Sequence, residues 1–491
     1  MRALLVSPPW GQLYGDFRAV ARVGVAYPPL GLCYLASALK AAGHDALVLD
    51  AEAEGLGVEA VVARAQTWEA GLVGIQVVSP LWDAALEIGR LVRERASLPV
   101  VIGGPHVSIT AEEALEQNPY ADFGVLGEGE DTLAELATCI ERGGDPAGVD
   151  GLVYRRDGAI RRTGPRASRA QLDALPLPDR DDLSFDRYLF SVPGRGIRKF
   201  TTILSSRGCP FECTFCTEPA MFGRRTRFRS SECVAAEIEQ VHLRHGVTHF
   251  VFVDDTLTVN RKRIERMCAE IVRRGLRVTL EGWTHANTVD EALLRTMRAA
   301  GLVRLSFGVE SGNPGILRTL KKGTDHERIR AAYRAAKAVG IETRGSVILG
   351  LPGDTRATVE DTIRFVTELD DLDHCYFNIA MPYPGTEMRA DALGGRRGTR
   401  LLTREYSQLR RQGQRVVMEV NDLDTPTLLA LQRRAYRRFW LRPRRILYNL
   451  RRAGPAAALR NGAAFFQSFV LPRRHKARTS FASEITAVAE H

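Results

Sequence analysis

The chain has 491 residues, a net charge of +10 and eight cysteines. One hydrophobic core does not extend over a chain of this length, so we expect two or three domains. No apolar run approaches the roughly 20 residues of a membrane-spanning helix, and the first apolar run is too short for a signal peptide. Five cysteines stand singly in apolar stretches, which argues against a disulfide framework and, with the preceding points, predicts a cytoplasmic protein.

Residues 1–142 alternate short apolar runs with helical patterns such as 31–42 and 81–95. Strands that alternate with helices predict a parallel sheet covered on both faces, here a flavodoxin-like, doubly wound α/β domain. Sheets of this kind bind ligands at the carboxyl ends of their strands. The predicted strands are 2–7, 45–50, 72–79, 100–103 and 123–126.

Glycines and polar residues follow several of these strands. Paired glycines let a backbone approach a bulky ligand, and nearby helix N-termini can receive a phosphate. Taken singly each signal is weak, because a glycine pair is commonly only a turn and a histidine there is commonly solvated. The candidate ligand-binding residues are Ser79, Gly103, Gly104, His106, Gly127, Glu128 and Gly129.

Residues 143–197 are predicted to be a connector. Asp157 and Gly158 form a strong hairpin-turn signal between the runs 151–154 and 160–163. A proline-rich extended segment follows at 175–180. We expect this region to bridge two domains.

From residue 198 to about 390 the alternation of strands and helices resumes. The predicted strands are 200–205, 249–254, 277–283, 304–309, 342–349 and 374–380. Six such units predict a partial (β/α)6 barrel, whose active site lies at the carboxyl ends of its strands.

Cys209, Cys213 and Cys216 lie in one tight loop after the first strand of this barrel. Three close thiolates suit a [4Fe–4S] cluster that leaves one iron open to a small molecule. The alternative is a structural zinc loop, which needs a fourth ligand to complete its tetrahedron. Candidates for that ligand are Cys233, His242 and His245.

The cysteine loop resembles that of radical SAM enzymes, which share its spacing and an aromatic residue, here Phe215, before the last cysteine. Residues 1–142 resemble the cobalamin-binding domain of the cobalamin-dependent class, through 27–32 and 127–130 in particular. That class includes methyltransferases and anaerobic magnesium-protoporphyrin cyclase-like enzymes. The resemblance implies a [4Fe–4S] cluster, S-adenosylmethionine (SAM), cobalamin, and an external electron donor such as ferredoxin or flavodoxin. The chain lacks Asp-x-His-x-x-Gly, so cobalamin is expected without a protein histidine ligand.

The same resemblance places SAM contacts at the other strand ends of the barrel. It implies that a carboxylate meets the methionyl ammonium, that a Ser and a Glu meet the ribose and carboxylate region, and that an apolar segment packs on adenine. The residues concerned are Asp254, Asp255, Ser306, Glu310, Ser311, Ile348 and Gly350.

Two of these assignments have alternatives. The paired aspartates would otherwise be solvated residues of a turn, and Glu310 would otherwise be satisfied by a buried Arg304 or Arg344. A further residue, His285, ends the third strand and suits either proton transfer or a satisfied place in the core.

By resemblance, the protein is a cobalamin-dependent radical SAM methyltransferase acting on an unactivated carbon, or less often phosphorus, of a small-molecule intermediate. The reduced cluster would cleave SAM to a 5′-deoxyadenosyl radical, and methylcobalamin would supply the methyl group. One alternative is a nonmethylating ring-forming or oxidative enzyme with the same cofactors. Another is a noncatalytic binding protein, which the intact cysteine loop argues against.

Residues 391–491 form a basic, helical C-terminal region. Fourteen Lys and Arg residues and no acid lie between 431 and 478, so the rest of the chain has a net charge of −4. Arg with Trp and Phe at helical spacing suits either an anionic membrane surface or a basic cap on the barrel. No RNA-binding motif accompanies the charge, so no nucleic-acid partner is expected.

Overall fold

The computed structural model describes residues 1–10, 27–409, 415–443 and 445–446. The first sheet has the strand order β2-β1-β3-β4-β5-β6-β7. Its strands are β1 (Arg2–Ser7), β2 (Asp45–Asp50), β3 (Leu72–Gln76), β4 (Val100–Gly103), β5 (Phe123–Val125), β6 (Leu152–Arg156) and β7 (Ala159–Arg162). The first five are parallel, which confirms the doubly wound fold predicted for this region.

Helices cover both faces of the first sheet. Because the sheet is covered, its strands are apolar almost throughout, and Leu4, Val73 and Ile102 are fully buried. The helices are α1 (Leu30–Ala41), α2 (Ala51–Glu54), α3 (Val58–Thr67), α4 (Trp82–Ala96), α5 (Pro105–Thr110), α6 (Glu112–Gln117) and α7 (Gly129–Glu141).

The hairpin that the sequence assigned to the connector is part of the first sheet. β6 pairs antiparallel with β5, and Val153 lies opposite Gly124. A Cβ at Gly124 would lie 2.7 Å from the Val153 side chain, so the pairing depends on a glycine on the neighbouring strand. The turn was predicted from local residues, but its docking depends on a strand about thirty residues away.

The second sheet has the order β16-β15-β14-β13-β12-β9-β8. Its strands are β8 (Leu189–Val192), β9 (Gly196–Ile203), β12 (His249–Phe252), β13 (Thr279–Thr284), β14 (Leu302–Glu310), β15 (Glu342–Leu349) and β16 (His374–Ile379). Six are parallel and form the predicted partial barrel, and β8 is an added antiparallel edge strand paired with β9. Sequence reasoning missed β8 because it has only four residues, two of them exposed.

Helices follow the strands of the partial barrel. They are α8 (Glu218–Met221), α9 (Ser231–His245), α10 (Arg261–Arg273), α11 (Glu291–Ala299), α12 (Pro314–Thr319), α13 (His326–Ala338), α14 (Arg356–Glu368) and α15 (Glu387–Gly394). Two short antiparallel ladders complete the strands of the described residues: β10 (Ser206–Arg207) with β11 (Arg227–Phe228), and β17 (Thr399–Leu401) with β18 (Met418–Val420).

The last described helix is α16 (Thr425–Trp440). The chain divides after Ala435 into two compact units, and the second predicted apolar run, 463–471, lies outside the described residues. None of the helices in the described ranges is long and apolar enough to cross a membrane.

The first sheet and the partial barrel share a hydrophobic core. Met381, from the loop after β16, packs in the same cluster as Val77 and Trp82 of the first domain. Tyr406 and Leu409, from the segment after β17, join that cluster. The two domains are therefore in direct apolar contact.

A buried ionic network also joins the domains. Arg207 donates to Glu128 at 2.8 Å and to Glu130 at 2.5 Å. Arg227 donates to the same Glu128 carboxylate at 3.1 Å. The side chains of Arg207 and Glu130 are 5% and 8% exposed. Buried charges require such pairing, so this network fixes how β10 and β11 meet the loop between β5 and α7.

Replacing Arg207 with Met should destabilise the protein by about 3–5 kcal/mol, because two buried carboxylates lose a cation. Denaturant unfolding of the purified protein measures the loss. Arg224→Met is the matched control, since Arg224 pairs with Glu212 in the same loop but both side chains are more than half exposed. That control should cost less than about 1 kcal/mol. Equal losses in the two variants would contradict a structural role for the buried network.

Candidate functional site

The cysteine loop is closed at its base by the β10–β11 ladder, in which Arg207 pairs with Arg227. Gly208 has φ +89°, and a Cβ there would lie 2.7 Å from the carbonyl oxygen of Arg225. A residue with a side chain would be strained in this conformation and would also meet the backbone. Gly208 therefore lets the loop turn sharply one residue before Cys209.

Backbone hydrogen bonds attach the loop to segments that follow other strands of the barrel. The Thr214 N–H donates to the carbonyl of Leu320 at 3.1 Å, and the Met388 N–H donates to the carbonyl of Thr214 at 3.0 Å. Phe215 packs against the apolar cluster that contains Leu320 and Met388. The loop is thus held against the segments that follow β14 and β16.

His285 supports the loop from the end of β13. Its ring stacks on Phe211 with the centroids 3.9 Å apart and an interplanar angle of 12°. Nε2 donates to the carbonyl of Lys322, and Nδ1 accepts from the Asn287 N–H. Burial and the nearby Lys322 lower the pKa of His285 to about 4. Both ring nitrogens and the ring face of His285 therefore have partners within the protein, and the ring supports the cysteine loop.

The three thiols have the chemistry expected of cluster ligands. All three are partly accessible and none is in a disulfide. Burial raises the pKa of Cys213 to about 11 and that of Cys216 to about 12. Such thiols ionise only with a strong electrophile, and iron supplies one. The donor set fits a [4Fe–4S] cluster.

The zinc alternative does not fit. Within the described ranges, no three His, Cys, Asp or Glu side chains converge on one metal position, as a tetrahedral ion requires. Cysteines that bind different irons of a cluster need no such convergence. The candidate fourth ligands have other partners: Cys233 accepts from Arg229, His242 contacts the Val247 carbonyl and His245 lies 3.6 Å from Asp181.

Asp254 and Asp255 are adjacent in sequence but differ in their surroundings. Asp254 is 1% exposed, and its carboxylate accepts from the Ser205 N–H at 3.1 Å and from the hydroxyls of Ser205 and Ser206. It therefore joins the end of β12 to the chain leading into the cysteine loop. Neither aspartate is the solvated turn residue of the alternative interpretation.

Asp255 faces a second carboxyl group, that of Glu218. Burial and the Glu218 carboxylate raise the pKa of Asp255 to about 8, and burial also raises the pKa of Glu218. Glu218 Oε2 is buried and has no hydrogen-bond partner among the described residues. Two facing acids with no cation beside them can receive a positively charged ligand group.

Glu310 has a partner that sequence reasoning missed. Its carboxylate accepts from Lys322 Nζ at 3.0 Å, and both residues are 6% exposed. The proposed alternative partners do not reach it, because Arg304 and Arg344 both pair with Glu281. Glu310 also has φ +62°, and the β14–β15 register shifts at this point. Burial lowers the pKa of Lys322, but Glu310 outweighs that effect and raises it above its usual value.

The remaining predicted SAM residues lie at the same end of the barrel. The Ser306 hydroxyl is buried and has no hydrogen-bond partner among the described residues. Ser311 is fully buried, and its hydroxyl lies 3.2 Å from that of Thr362. Ile348 is half-buried. Gly350 has φ +80°, and its N–H donates to Asp354. Their predicted contacts with SAM stay predictions.

The candidate cobalamin residues gather at the carboxyl edge of the first sheet. Ser79 Oγ lies 3.1 Å from His106 Nδ1, and a Cβ at Gly104 would lie 2.8 Å from the carbonyl oxygen of Val77. Gly103 pairs with Gln76 at the end of β4. Burial lowers the pKa of His106 to about 4, and its Nε2 has no hydrogen-bond partner in the described part of the chain.

In the loop from Gly127 to Gly129, there is free space beside the backbone of Gly127, whereas the side chain of Glu128 is already in ion pairs. A Cβ at Gly127 would meet no atom of the described residues within 4 Å, which leaves room for a ligand. The Glu128 carboxylate, in contrast, is taken up by Arg207 and Arg227. Any contact of Glu128 with cobalamin would thus be through its backbone. A Cβ at Gly129 would lie 3.1 Å from Val125.

Comparison with known proteins agrees with this arrangement. Residues 203–366 match the family model of the radical SAM superfamily, and residues 19–137 match that of the B12 binding domain. An uncharacterized methyltransferase of Pyrococcus horikoshii is 33% identical over 453 residues, covering 92% of this chain and 95% of that protein. The chain belongs to the cobalamin-dependent radical SAM family. Membership in this family confirms the predicted cofactors: cluster, SAM and cobalamin.

Two further comparisons concern a curated relative and a solved structure. The anaerobic magnesium-protoporphyrin IX monomethyl ester cyclase of Rubrivivax gelatinosus is 29% identical over 397 residues, covering 79% of this chain and 69% of that protein. The radical SAM methyltransferase TsrM from Kitasatospora setae, with cobalamin and a [4Fe–4S] cluster bound, has a TM-score of 0.71 at 21% identity, covering 88% of this chain and 90% of that chain. The latter likeness confirms the fold.

Three residues of this cobalamin-dependent radical SAM site were missed from sequence. Lys322 lies in a loop beyond α12, twelve residues from Glu310. Glu218 follows the cysteine motif by two residues, which was an available signal. Tyr406 lies far along the chain, yet its ring is 4.5 Å from that of His106 and its hydroxyl donates to Glu113 at 2.7 Å. No local pattern indicated Lys322 or Tyr406.

Replacing Gly308 with Ala should destabilise the protein by about 1–3 kcal/mol, as overpacking does in a filled interior. A Cβ there would lie 2.0 Å from Glu310 Oε1 and 2.6 Å from Lys322 Nζ, so the buried pair must move. Thermal unfolding measures the change. Gly148→Ala is the control, because a Cβ at that position meets nothing within 4 Å. Equal stability of the two variants would show that the pair has room to shift.

Proposed function

We propose that this enzyme is a methyltransferase that transfers a methyl group to an unactivated carbon, or to phosphorus, of a small-molecule intermediate. The observation that carries the proposal is the contact between the cysteine loop of the barrel and the carboxyl edge of the first sheet. Arg207, which directly precedes the turn into the cysteine loop, is bonded to Glu128 and Glu130 at the edge of the first sheet. The cluster and cobalamin would therefore bind at neighbouring edges of one structure.

The charged residues around the loop suit the amino acid end of SAM. Asp255 and Glu218 would bind its ammonium, because a cation relieves the repulsion between two facing acids. Lys322 would bind its carboxylate, since Glu310 alone would repel that group. Ser306 would donate to or accept from a ligand hydroxyl. In this arrangement the ammonium and the carboxylate of the methionyl group each meet a group of opposite sign.

When bound, the cluster, SAM and cobalamin supply the radical and methyl-transfer chemistry. The residues of this chain hold the cluster through three cysteines, position the loop through His285 and Phe211, and orient SAM through charge. They also exclude water, because the Glu310–Lys322 pair and Asp254 are nearly inaccessible. Exclusion of water strengthens each of these electrostatic contacts.

Asp255→Asn should lower the affinity for SAM by about 10- to 100-fold, because an amide does not form a charge-assisted hydrogen bond with an ammonium group. Calorimetric titration of the anaerobic protein with SAM measures the dissociation constant. The cluster content should remain unchanged, which iron and sulfide analysis verifies.

Asp254→Asn is the matched comparison. That side chain accepts hydrogen bonds from within the protein, so the substitution should lower the free energy of unfolding. SAM affinity should fall only as far as this loss of stability disturbs the site. Unchanged SAM affinity in Asp255→Asn would remove Asp255 from the proposed ammonium site.

The reaction type is tested by product analysis. The reconstituted enzyme, given cobalamin, SAM and a strong reductant without oxygen, should form 5′-deoxyadenosine and S-adenosylhomocysteine together. Mass spectrometry quantifies both. Cys213→Ala should form neither, because the cluster loses one of three ligands. If the intact holoenzyme forms neither product, the proposed methyltransferase activity is wrong.

A nonmethylating radical enzyme is the second candidate. The similarity to the Rubrivivax gelatinosus cyclase favours it, and formation of 5′-deoxyadenosine without S-adenosylhomocysteine would support it. The flavodoxin or ferredoxin donor, the absence of a protein histidine ligand to cobalt and the membrane-surface role of the basic tail stay predictions.

A further inference from the structure

The inside of the partial barrel carries a row of charges below the proposed SAM site. Along β15 the burial alternates, so that Arg344, Ser346 and Ile348 are partly accessible while Gly345, Val347 and Leu349 are buried against the helices. β16 alternates in the same way, with Tyr376 49% exposed. The accessible residues of neighbouring strands thus face a common space inside the barrel.

Strand register places the polar residues of this space in two adjacent rows. In the lower row, Glu281, Arg304 and Glu342 are direct neighbours. In the upper row, Trp283, Ser306 and Arg344 are direct neighbours, and His374 follows Arg344. The upper row is nearer the carboxyl ends of the strands, where the cysteine loop lies.

The lower row is held together by ion pairs. Arg304 donates to Glu281 at 2.7 Å, to Glu342 at 2.5 Å and to the Ser191 carbonyl at 3.1 Å. Although burial opposes it, Arg344, His249 and Arg304 hold the pKa of Glu281 at about 2. Glu281 therefore remains charged, and it shares one negative charge between Arg304 and Arg344.

Arg344 differs from Arg304 in having unused donors. Its guanidinium donates to Glu281 at 2.6 Å through one nitrogen, which is its only side-chain hydrogen bond to the described residues. Its side chain is 17% exposed, against 3% for Arg304. A guanidinium offers five N–H groups in a planar fork, so the remaining N–H groups of Arg344 are available to a ligand.

One further observation indicates a ligand at this place. Aromatic surface is exposed nearby: Tyr27 is 39% exposed and packs on Trp283 with ring centroids 6.4 Å apart. A polar group beside exposed aromatic rings is typical of a small-molecule pocket.

We propose that the substrate carries an oxyanion, a carboxylate or phosphoryl group, that binds the free edge of Arg344, and that its apolar body lies against Tyr27, Trp283 and Tyr376. This inference rests on the proposed function, whose substrate class it names. From Arg344 to Ile348 the strand rises about 13 Å. The oxyanion anchors the end of the substrate remote from SAM, and the reacting atom lies up to that distance nearer the cysteine loop.

The test measures binding rather than turnover. The full-length holoenzyme is titrated anaerobically with 2-naphthylacetate, with naphthylmethylphosphonate and with the neutral 2-naphthylacetamide, using calorimetry. A charge-assisted pair should make one or both anions bind about 10- to 100-fold more tightly than the amide. The anion with the larger preference distinguishes carboxylate from phosphoryl substrates.

Arg344→Gln should abolish the preference for the anions and leave binding of the amide nearly unchanged. Glu281 keeps Arg304 as its partner in this variant, so the fold should survive. Arg344→Lys should retain part of the preference. If Arg344→Gln does not fold, Arg344→Lys takes its place in the titration. Arg295→Gln, on the outer helix α11 with an exposed pair to Glu291, is the matched control and should retain all of it.

A wild-type enzyme without anion preference, or an undiminished preference in Arg344→Gln, would overturn the inference. These failures are distinguishable from failure of the proposed function. An enzyme that forms both nucleoside products but shows no anion preference contradicts only the substrate class. An enzyme with the preference but neither product contradicts only the methyltransferase.

Discussion

The buried pairing of Arg207 with Glu128 and Glu130 is the interaction on which the arrangement of the two domains depends. Charges at this depth tolerate few geometries, because each needs its partner at hydrogen-bond distance. Arg207 ends the short strand that leads through Gly208 into the cysteine loop. The same contact therefore fixes the loop that would hold the cluster and the strand edge that would hold cobalamin.

The site is built on buried groups, several of which are bonded to other parts of the protein. His285 is typical: one ring nitrogen binds the Lys322 carbonyl, while its face supports Phe211 in the cysteine loop. Lys322 in turn stabilises Glu310, which has an unusual left-handed backbone conformation. A strained residue persists where its surroundings over-determine it, and here the ion pair supplies that constraint.

Charge is distributed over the barrel interior in layers. The lower layer is a closed set of ion pairs around Glu281, and the upper end carries Asp255, Glu218, Glu310 and Lys322 around the cysteine loop. Arg344 lies between them with one edge bonded and the other accessible. This layering gives the two ends of the cavity different chemistry, which would orient a substrate that has one anionic end.

The sequence by itself determined the fold class, the parallel strands of the two sheets and the cysteine loop, because strand alternation, helical periodicity and ligand spacing are all local patterns. Only the tertiary structure decided which neighbours each residue meets. It paired Glu310 with Lys322 instead of Arg304 or Arg344. It also gave Asp254 and Asp255 different partners and placed the 152–162 hairpin on the first sheet. Buried charges choose partners by distance in space, and residues far apart in the chain carry no local signal of that distance.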